Sequence, residues 1–235
     1  MTDKPLVLLF DIDGTLLDSS GAGGSALLDA LIKVFELESA EQVPLHGRTD
    51  LGIMSELLEK YGIEASTENL NRLCDKYYEL LPAVLEGRSG ACLPGVRELL
   101  DELAAQDNIH LALLTGNMPT SAKMKLEYFG LWPYFSFGIF GDLAAQRPLL
   151  AEPALKMISE ETGVLANCSN TLILGDTPLD IELADCMQVQ SLAVCTGGFS
   201  EQELVDAGAS LVLHDLSDTK RICAWMNNMS IVNHG

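Results

Sequence analysis

Asp11 and Asp13 stand two residues apart, directly after the apolar run Leu6-Val7-Leu8-Leu9-Phe10. In extended backbone such residues project to the same side. Gly14 permits a turn that a bulkier residue would resist, and Thr15 adds a hydroxyl. Two acids on one side with a hydroxyl beyond them suit a metal ion and a phosphate. Later in the chain, Leu114-Thr115-Gly116-Asn117 and Gly175-Asp176-Thr177-Pro178-Leu179-Asp180 repeat the pattern of polar groups closing an apolar run.

Those runs read as strands buried on both faces. Leu6 to Phe10 is the first. His110 to Leu114, the weaker Phe137 to Phe140, Thr171 to Leu174, Ser191 to Cys195 and Leu211 to Leu213 follow, with helical stretches between them. This alternation predicts a parallel, doubly wound, Rossmann-like α/β sheet. Strand ends in such a sheet share one edge, where ligands bind. Between the first two strands the spacing is helical instead. Leu27, Leu28, Leu31, Ile32 and Phe35 form one stripe, Met54, Leu57 and Leu58 a second, and Leu70, Leu73, Tyr77, Leu80 and Leu81 a third. A parallel crossover needs a single helix, so residues 17–88 are expected to form an inserted helical domain. Residues 1–16 and 89–235 then make the α/β core. Pro94 suits a helix start, with Val96, Leu99, Leu100 and Leu103 as its buried face. From Ala224 onward there is no clear pattern.

The chain has 235 residues, 48% of them hydrophobic, ample for a core with an insert. No stretch has the length of a membrane span, and the first residues lack the apolar core of a signal peptide. The expected location is the cytoplasm. The formal charge of −20 opposes nucleic acid and anionic membranes. It also repels a phosphorylated ligand at long range, so a cation and local basic residues must offset that field. Six cysteines lack C-x-x-C spacing and read as small, mostly buried residues. Gly21-Ala22-Gly23-Gly24-Ser25-Ala26 has the form of a dinucleotide loop. It starts too far beyond the strand end to act as one, and reads instead as a flexible connection into the insert.

Asp11-Ile12-Asp13-Gly14-Thr15-Leu16 resembles the first motif of the haloacid dehalogenase-like superfamily. Thr115-Gly116-Asn117 resembles the second, and Gly175-Asp176 with Asp180 the fourth. The resemblance implies that Asp11 attacks phosphorus, forming an aspartyl-phosphate, while Asp13 moves protons to the leaving oxygen and from water. It implies Mg²⁺ held by Asp11, Asp176 and the Asp13 backbone carbonyl, with Asp180 acting through water or holding the site together. Thr115, Gly116 and Asn117 are then expected at the phosphoryl oxygens.

The family's third motif is usually a lysine before a helix. Here the region reads Gln146-Arg147-Pro148, with no lysine until Lys156. Arg147 is assigned that place, against the alternative of a surface arginine. The insert resembles the family's helical cap, and its His46-Gly47-Arg48-Thr49-Asp50 loop resembles that of phosphoglycolate phosphatases. Arg48 is a candidate for a substrate anion or for an intradomain ion pair, and Thr49 or Asp50 for the helix cap. The four histidines show no pairing with a nucleophile and read as structural or surface residues.

The resemblance admits several reactions. A dehalogenase or phosphonoacetaldehyde hydrolase normally lacks the second acid, so Asp13 favours a phosphatase of a small phosphorylated metabolite, phosphoglycolate among the candidates. A sugar phosphomutase keeps both acids, and an idle ligand-binding relative stays open. A receiver domain would be shorter and would have no insert. Oligomeric state is not legible.

Overall fold

The computed structural model describes residues 4–229. Strand β1 (Leu6–Phe10) leads through a turn to the two-residue strand β2 (Leu17–Asp18). Helices α1 (Ala22–Phe35), α2 (Asp50–Lys60) and α3 (Thr67–Glu86) follow, and β3 (Ala91–Cys92) pairs antiparallel with β2. The helical excursion thus leaves and re-enters the core through neighbouring strands. The rest of the chain alternates as α4 (Val96–Ala104), β4 (Ile109–Leu114), α5 (Pro119–Tyr128), β5 (Phe137–Ile139), α6 (Ala151–Thr162), β6 (Thr171–Gly175), α7 (Pro178–Met187), β7 (Gln190–Val194), α8 (Glu201–Asp206), β8 (Leu211–Leu213) and α9 (Thr219–Met229).

The six longer strands form one parallel sheet in the order β5-β4-β1-β6-β7-β8. From β1 the chain builds outward to one side, then crosses back and builds to the other. This places the topological switch at β1, and the carboxyl ends of β1, β4 and β6 surround it. Alternate residues of β1 feed two cores. Leu6, Leu8 and Phe10 pack with α4, α5 and α9, whereas Val7 and Leu9 pack with α6 and α7. That explains why β1 is apolar at every position rather than at every second one.

Two expectations need correction. The glycine-rich stretch is no flexible connection: Gly21 caps α1, and Gly23 and Gly24 lie in its first turn. A Cβ at Gly24 would approach Leu45 Cδ1 to 2.7 Å, so small residues here serve close packing. Of the cysteines, Cys168 and Cys186 are exposed, and Cys74, Cys92, Cys195 and Cys223 are half-buried, packed against the margins of the hydrophobic clusters rather than within them. Ala224 to Met229, where no pattern was legible, complete α9. His234 lies outside the described residues.

Close approach also joins α2 to the core. A Cβ at Gly52 would collide with the Ala145 carbonyl, a backbone atom that cannot rotate away. Gly87, at φ −79° beyond α3, meets nothing nearer than 3.4 Å. Gly52→Ala is therefore expected to lower stability by about 1–3 kcal/mol in urea unfolding, with Gly87→Ala close to wild type.

Candidate active site

Asp11 follows β1, Thr115 follows β4 and Asp176 follows β6, so sheet order alone brings these distant residues to one edge. Asp11 and Asp176 border a cavity of about 390 Å³ that Asp13, Gly116, Asn117 and Arg147 also line from the core side, whereas Thr115 is fully buried and does not line it. His46, Arg48, Asp50 and Tyr77 line it from the helical insert.

Asp11, Asp176 and Asp180 are buried and offer carboxylate oxygens within 4.8 Å of one another. Arg147, from the short 3-10 turn Arg147–Leu150, is also buried rather than a surface arginine. Its Nη2 ion-pairs with Asp180, lies 3.3 Å from Asp11 Oδ1 and donates to the Leu114 carbonyl at 3.2 Å. Its Nη1 donates to the Gly47 carbonyl of the insert at 3.5 Å. Asp180 also completes a capping box for α7, accepting from the Thr177 N–H at 3.0 Å and its hydroxyl at 2.8 Å. Asp180 is thus held by the fold from both sides.

Three carboxylates face one guanidinium, and the imbalance shows in their acidity. Burial pushes Asp11 up from 3.8 to about 6 against the pull of Arg147, with Asp180 adding to the rise. Burial and the neighbouring Asp180 and Asp11 hold Asp176 well above the carboxylate range. Asp176 accepts from the Thr15 hydroxyl at 3.1 Å. A Cβ at Gly14, where φ is +82°, would come within 2.5 Å of Asp176 Oδ2, and one at Gly197 would overlap it. Glycines at both places let two loops close around this acid. Three hard oxygen donors that outnumber the one guanidinium fit a divalent cation such as Mg²⁺, which would favour their ionised forms.

Asp13 has different surroundings. Its Oδ2 accepts from Lys125 Nζ at 2.6 Å and from Asn117 Nδ2 at 2.9 Å, and its Oδ1 accepts from Ser19 Oγ at 3.2 Å. Burial alone would raise its pKa, but Lys125, Asn117 and Ser19 more than offset that and leave it below the usual value. Thr115 is fully buried, and its hydroxyl oxygen accepts from Asn117 Nδ2 at 2.9 Å. The Gly116 carbonyl accepts from the Asp50 N–H at 2.7 Å.

In the insert, Thr49 caps α2 by accepting from the Gly52 N–H at 3.2 Å. Asp50 reaches across instead, accepting from the Met118 N–H at 2.8 Å at the start of α5. Arg48 lines the cavity, pairs with Glu56 at 2.5 Å and donates to the Pro44 carbonyl at 3.0 Å. His46 also lines the cavity.

Lys125 and Ser19 were missed from the sequence. A signal for Lys125 existed: it falls on the buried stripe Ala122, Lys125 and Leu126 of α5, which Phe129 continues just past the helix, and a lysine without a partner would be costly there.

Among the described residues, no helix is long and apolar enough to cross a membrane. A family model described as haloacid dehalogenase-like hydrolase matches residues 8–194. The chain is 27% identical over 216 residues to the protein named Probable phosphatase IndB from Dickeya dadantii, covering 92% of this chain and 91% of that one. It is 25% identical over 222 residues to a phosphoglycolate phosphatase from Caulobacter vibrioides, covering 92% and 90%. The crystal structure of a hydrolase from Pseudomonas syringae shares the fold, with a TM-score of 0.67 at 24% identity over 94% of this chain and 98% of that one. The acids at the strand ends and this match across most of the chain agree: the chain belongs to the haloacid dehalogenase-like hydrolases, among relatives named as phosphatases.

Proposed function

We propose that the chain is a Mg²⁺-dependent phosphatase that hydrolyses a small phosphomonoester through an aspartyl-phosphate on Asp11, with phosphoglycolate among the candidate substrates. The observation that carries this reading is the contrast between two carboxylates only two residues apart. Asp11 lies among acids with Arg147 beside it, and Asp13 lies among the donors Lys125, Asn117 and Ser19. The names of the relatives support phosphate-ester chemistry.

In this reading Asp11 attacks phosphorus with one carboxylate oxygen while Arg147 steadies the other. Asp13 gives a proton to the ester oxygen as it leaves, then takes one from the water that hydrolyses the aspartyl-phosphate. Thr115, Gly116 and Asn117 orient the phosphoryl oxygens, with Arg147 in the place the family usually gives a lysine. Arg48 stands on the insert side, where the remainder of the substrate would sit. Residues 17–88 act as a cap that keeps bulk water from the reacting groups. Mg²⁺, held by Asp11, Asp176 and the Asp13 backbone carbonyl with Asp180 behind, would offset the charge shared by nucleophile and phosphate.

Phosphate release across a panel of phosphorylated metabolites tests the reading. The wild type is expected to release phosphate from at least one in a Mg²⁺-dependent manner, and Asp11→Asn to lose that activity by about 10³-fold or more. Isomerisation of a sugar phosphate without phosphate release would point to a mutase instead. No turnover with any of the panel would overturn the reading.

Removing the guanidinium in Arg147→Ala is expected to lower kcat by about 10²-fold, as for other lost donors to a developing anion. Unchanged turnover would remove Arg147 from the mechanism.

Acidity gives a third outcome. Asp11, at about 6 in the metal-free fold against 3.8 ordinarily, ionises more readily in the unfolded chain. Asp176, also raised, does the same. Metal-free stability from these groups is therefore greatest below the ordinary carboxylate value and falls as pH rises through about 6 and beyond. Mg²⁺ should raise Tm more at pH 8 than at pH 5. Asp176→Asn should raise the metal-free Tm at pH 8 and abolish most of the Mg²⁺ response. A Mg²⁺ shift independent of pH would exclude these acids as the ligands.

A further inference from the structure

The cluster that the proposed reaction leaves unexplained lies beneath the first turn of α1. Lys125 is 4% exposed. Its ammonium donates to Asp13 Oδ2 at 2.6 Å and to Asn117 Oδ1 at 2.7 Å. A buried lysine costs several kcal/mol unless its charge is paired and its donors are satisfied, so such a residue rarely persists as packing alone. The fold also makes room for it. A Cβ at Gly23 of α1 would come within 3.1 Å of Lys125 Nζ, a position that suits glycine.

Asn117 closes the arrangement. Its Oδ1 accepts from Lys125, while its Nδ2 donates to Asp13 Oδ2 and to Thr115 Oγ1, both at 2.9 Å. Asp13 Oδ2 is therefore held by two donors. Asp13 Oδ1 has a single, longer bond among the described residues, from Ser19 Oγ at 3.2 Å. The two oxygens of one carboxylate have been made unequal.

We propose that Lys125 is a positioning residue for the leaving-group side of the reaction. With Asn117 it holds Asp13 Oδ2, so that Oδ1 is the oxygen that exchanges protons with the substrate. This rests on the role given to Asp13 in the phosphatase reading. The donors around Asp13 keep it ionised at rest, so the proton arrives with the substrate: a phosphomonoester monoanion passes its proton to Oδ1. As the bond from Asp11 to phosphorus forms and the ester P–O bond breaks, the ester oxygen takes that proton from Oδ1 and departs as an alcohol. Water then attacks the aspartyl-phosphate and gives a proton to Oδ1, which passes it to the inorganic phosphate as that leaves, restoring both Asp11 and the Asp13 carboxylate. Lys125 keeps its own protons and acts through Asp13 rather than on the substrate.

Two substrates that differ in their need for a proton separate this role from simple packing. The pair is the best alkyl phosphate of the panel and p-nitrophenyl phosphate, whose leaving group departs as a stable anion. The quantity compared is kcat/KM, which reports the steps up to ester cleavage and is blind to later hydrolysis of the aspartyl-phosphate. Lys125→Met is expected to lower kcat/KM by about 10²-fold on the alkyl ester and by no more than about fivefold on the aryl ester, the gap being what a general acid supplies. Asn117→Ala, which leaves the lysine in place, is expected to show the same preference more weakly. It decides the matter if circular dichroism shows that Lys125→Met does not fold. Equal losses on both esters in a folded variant would overturn the positioning role while leaving the phosphatase reading intact. A wild type that cleaves neither ester would overturn both.

Discussion

Three carboxylates, Asp11, Asp176 and Asp180, are buried together at the switch point of the sheet with one guanidinium, Arg147, among them. Like charges in a poorly solvated place repel strongly, and an uncompensated buried ion costs several kcal/mol. The surrounding structure holds them there nonetheless. The parallel strands fix where Asp11 and Asp176 begin, the capping box of α7 fixes Asp180, and Gly14 and Gly197 let the loops close on Asp176. These contacts hold the three acids together, and their excess over the single guanidinium is a charge pattern that a divalent cation would offset.

A second consequence is the division of the cavity into two electrostatic halves. On one side acids outnumber cations. On the other, Asp13 is wrapped by donors from β4's end, α5 and the entrance to α1. Neighbouring residues of one short turn are therefore kept in opposite states of acidity by elements far apart in the chain. The insert takes part in both halves: the Gly47 carbonyl accepts from Arg147, and Asp50 anchors to the first turn of α5. The helices above the sheet are thus joined by hydrogen bonds to Arg147 and to the start of α5 as well as lining the cavity.

Much of this was legible in the sequence. Apolar runs such as Leu6–Phe10 announced strands because a strand covered on both faces has no polar position to spare. Their polar ends marked the site edge, and the excess of helical stripes before Pro94 marked the insert. Less legible were residues whose meaning depends on a partner. Lys125 lies on a helix with an otherwise ordinary apolar stripe, and its partner Asp13 is on another element altogether. The glycines of α1 looked like a linker because composition records their freedom and not the crowding that makes them necessary.

By itself, then, the order of residues determined the strands, the helical insert and the placing of Asp11, Asp13, Thr115 and Asp176 at strand ends. Local periodicity and turn chemistry suffice for those. Tertiary structure decided which strand ends are neighbours, that Arg147 turns inward to Asp180 and Asp11, that Arg48 pairs with Glu56, and that Lys125 meets Asp13. Those pairings follow from the sheet order and the docking of α1, α2 and α5, because a charge finds its partner by proximity in space after the backbone has folded.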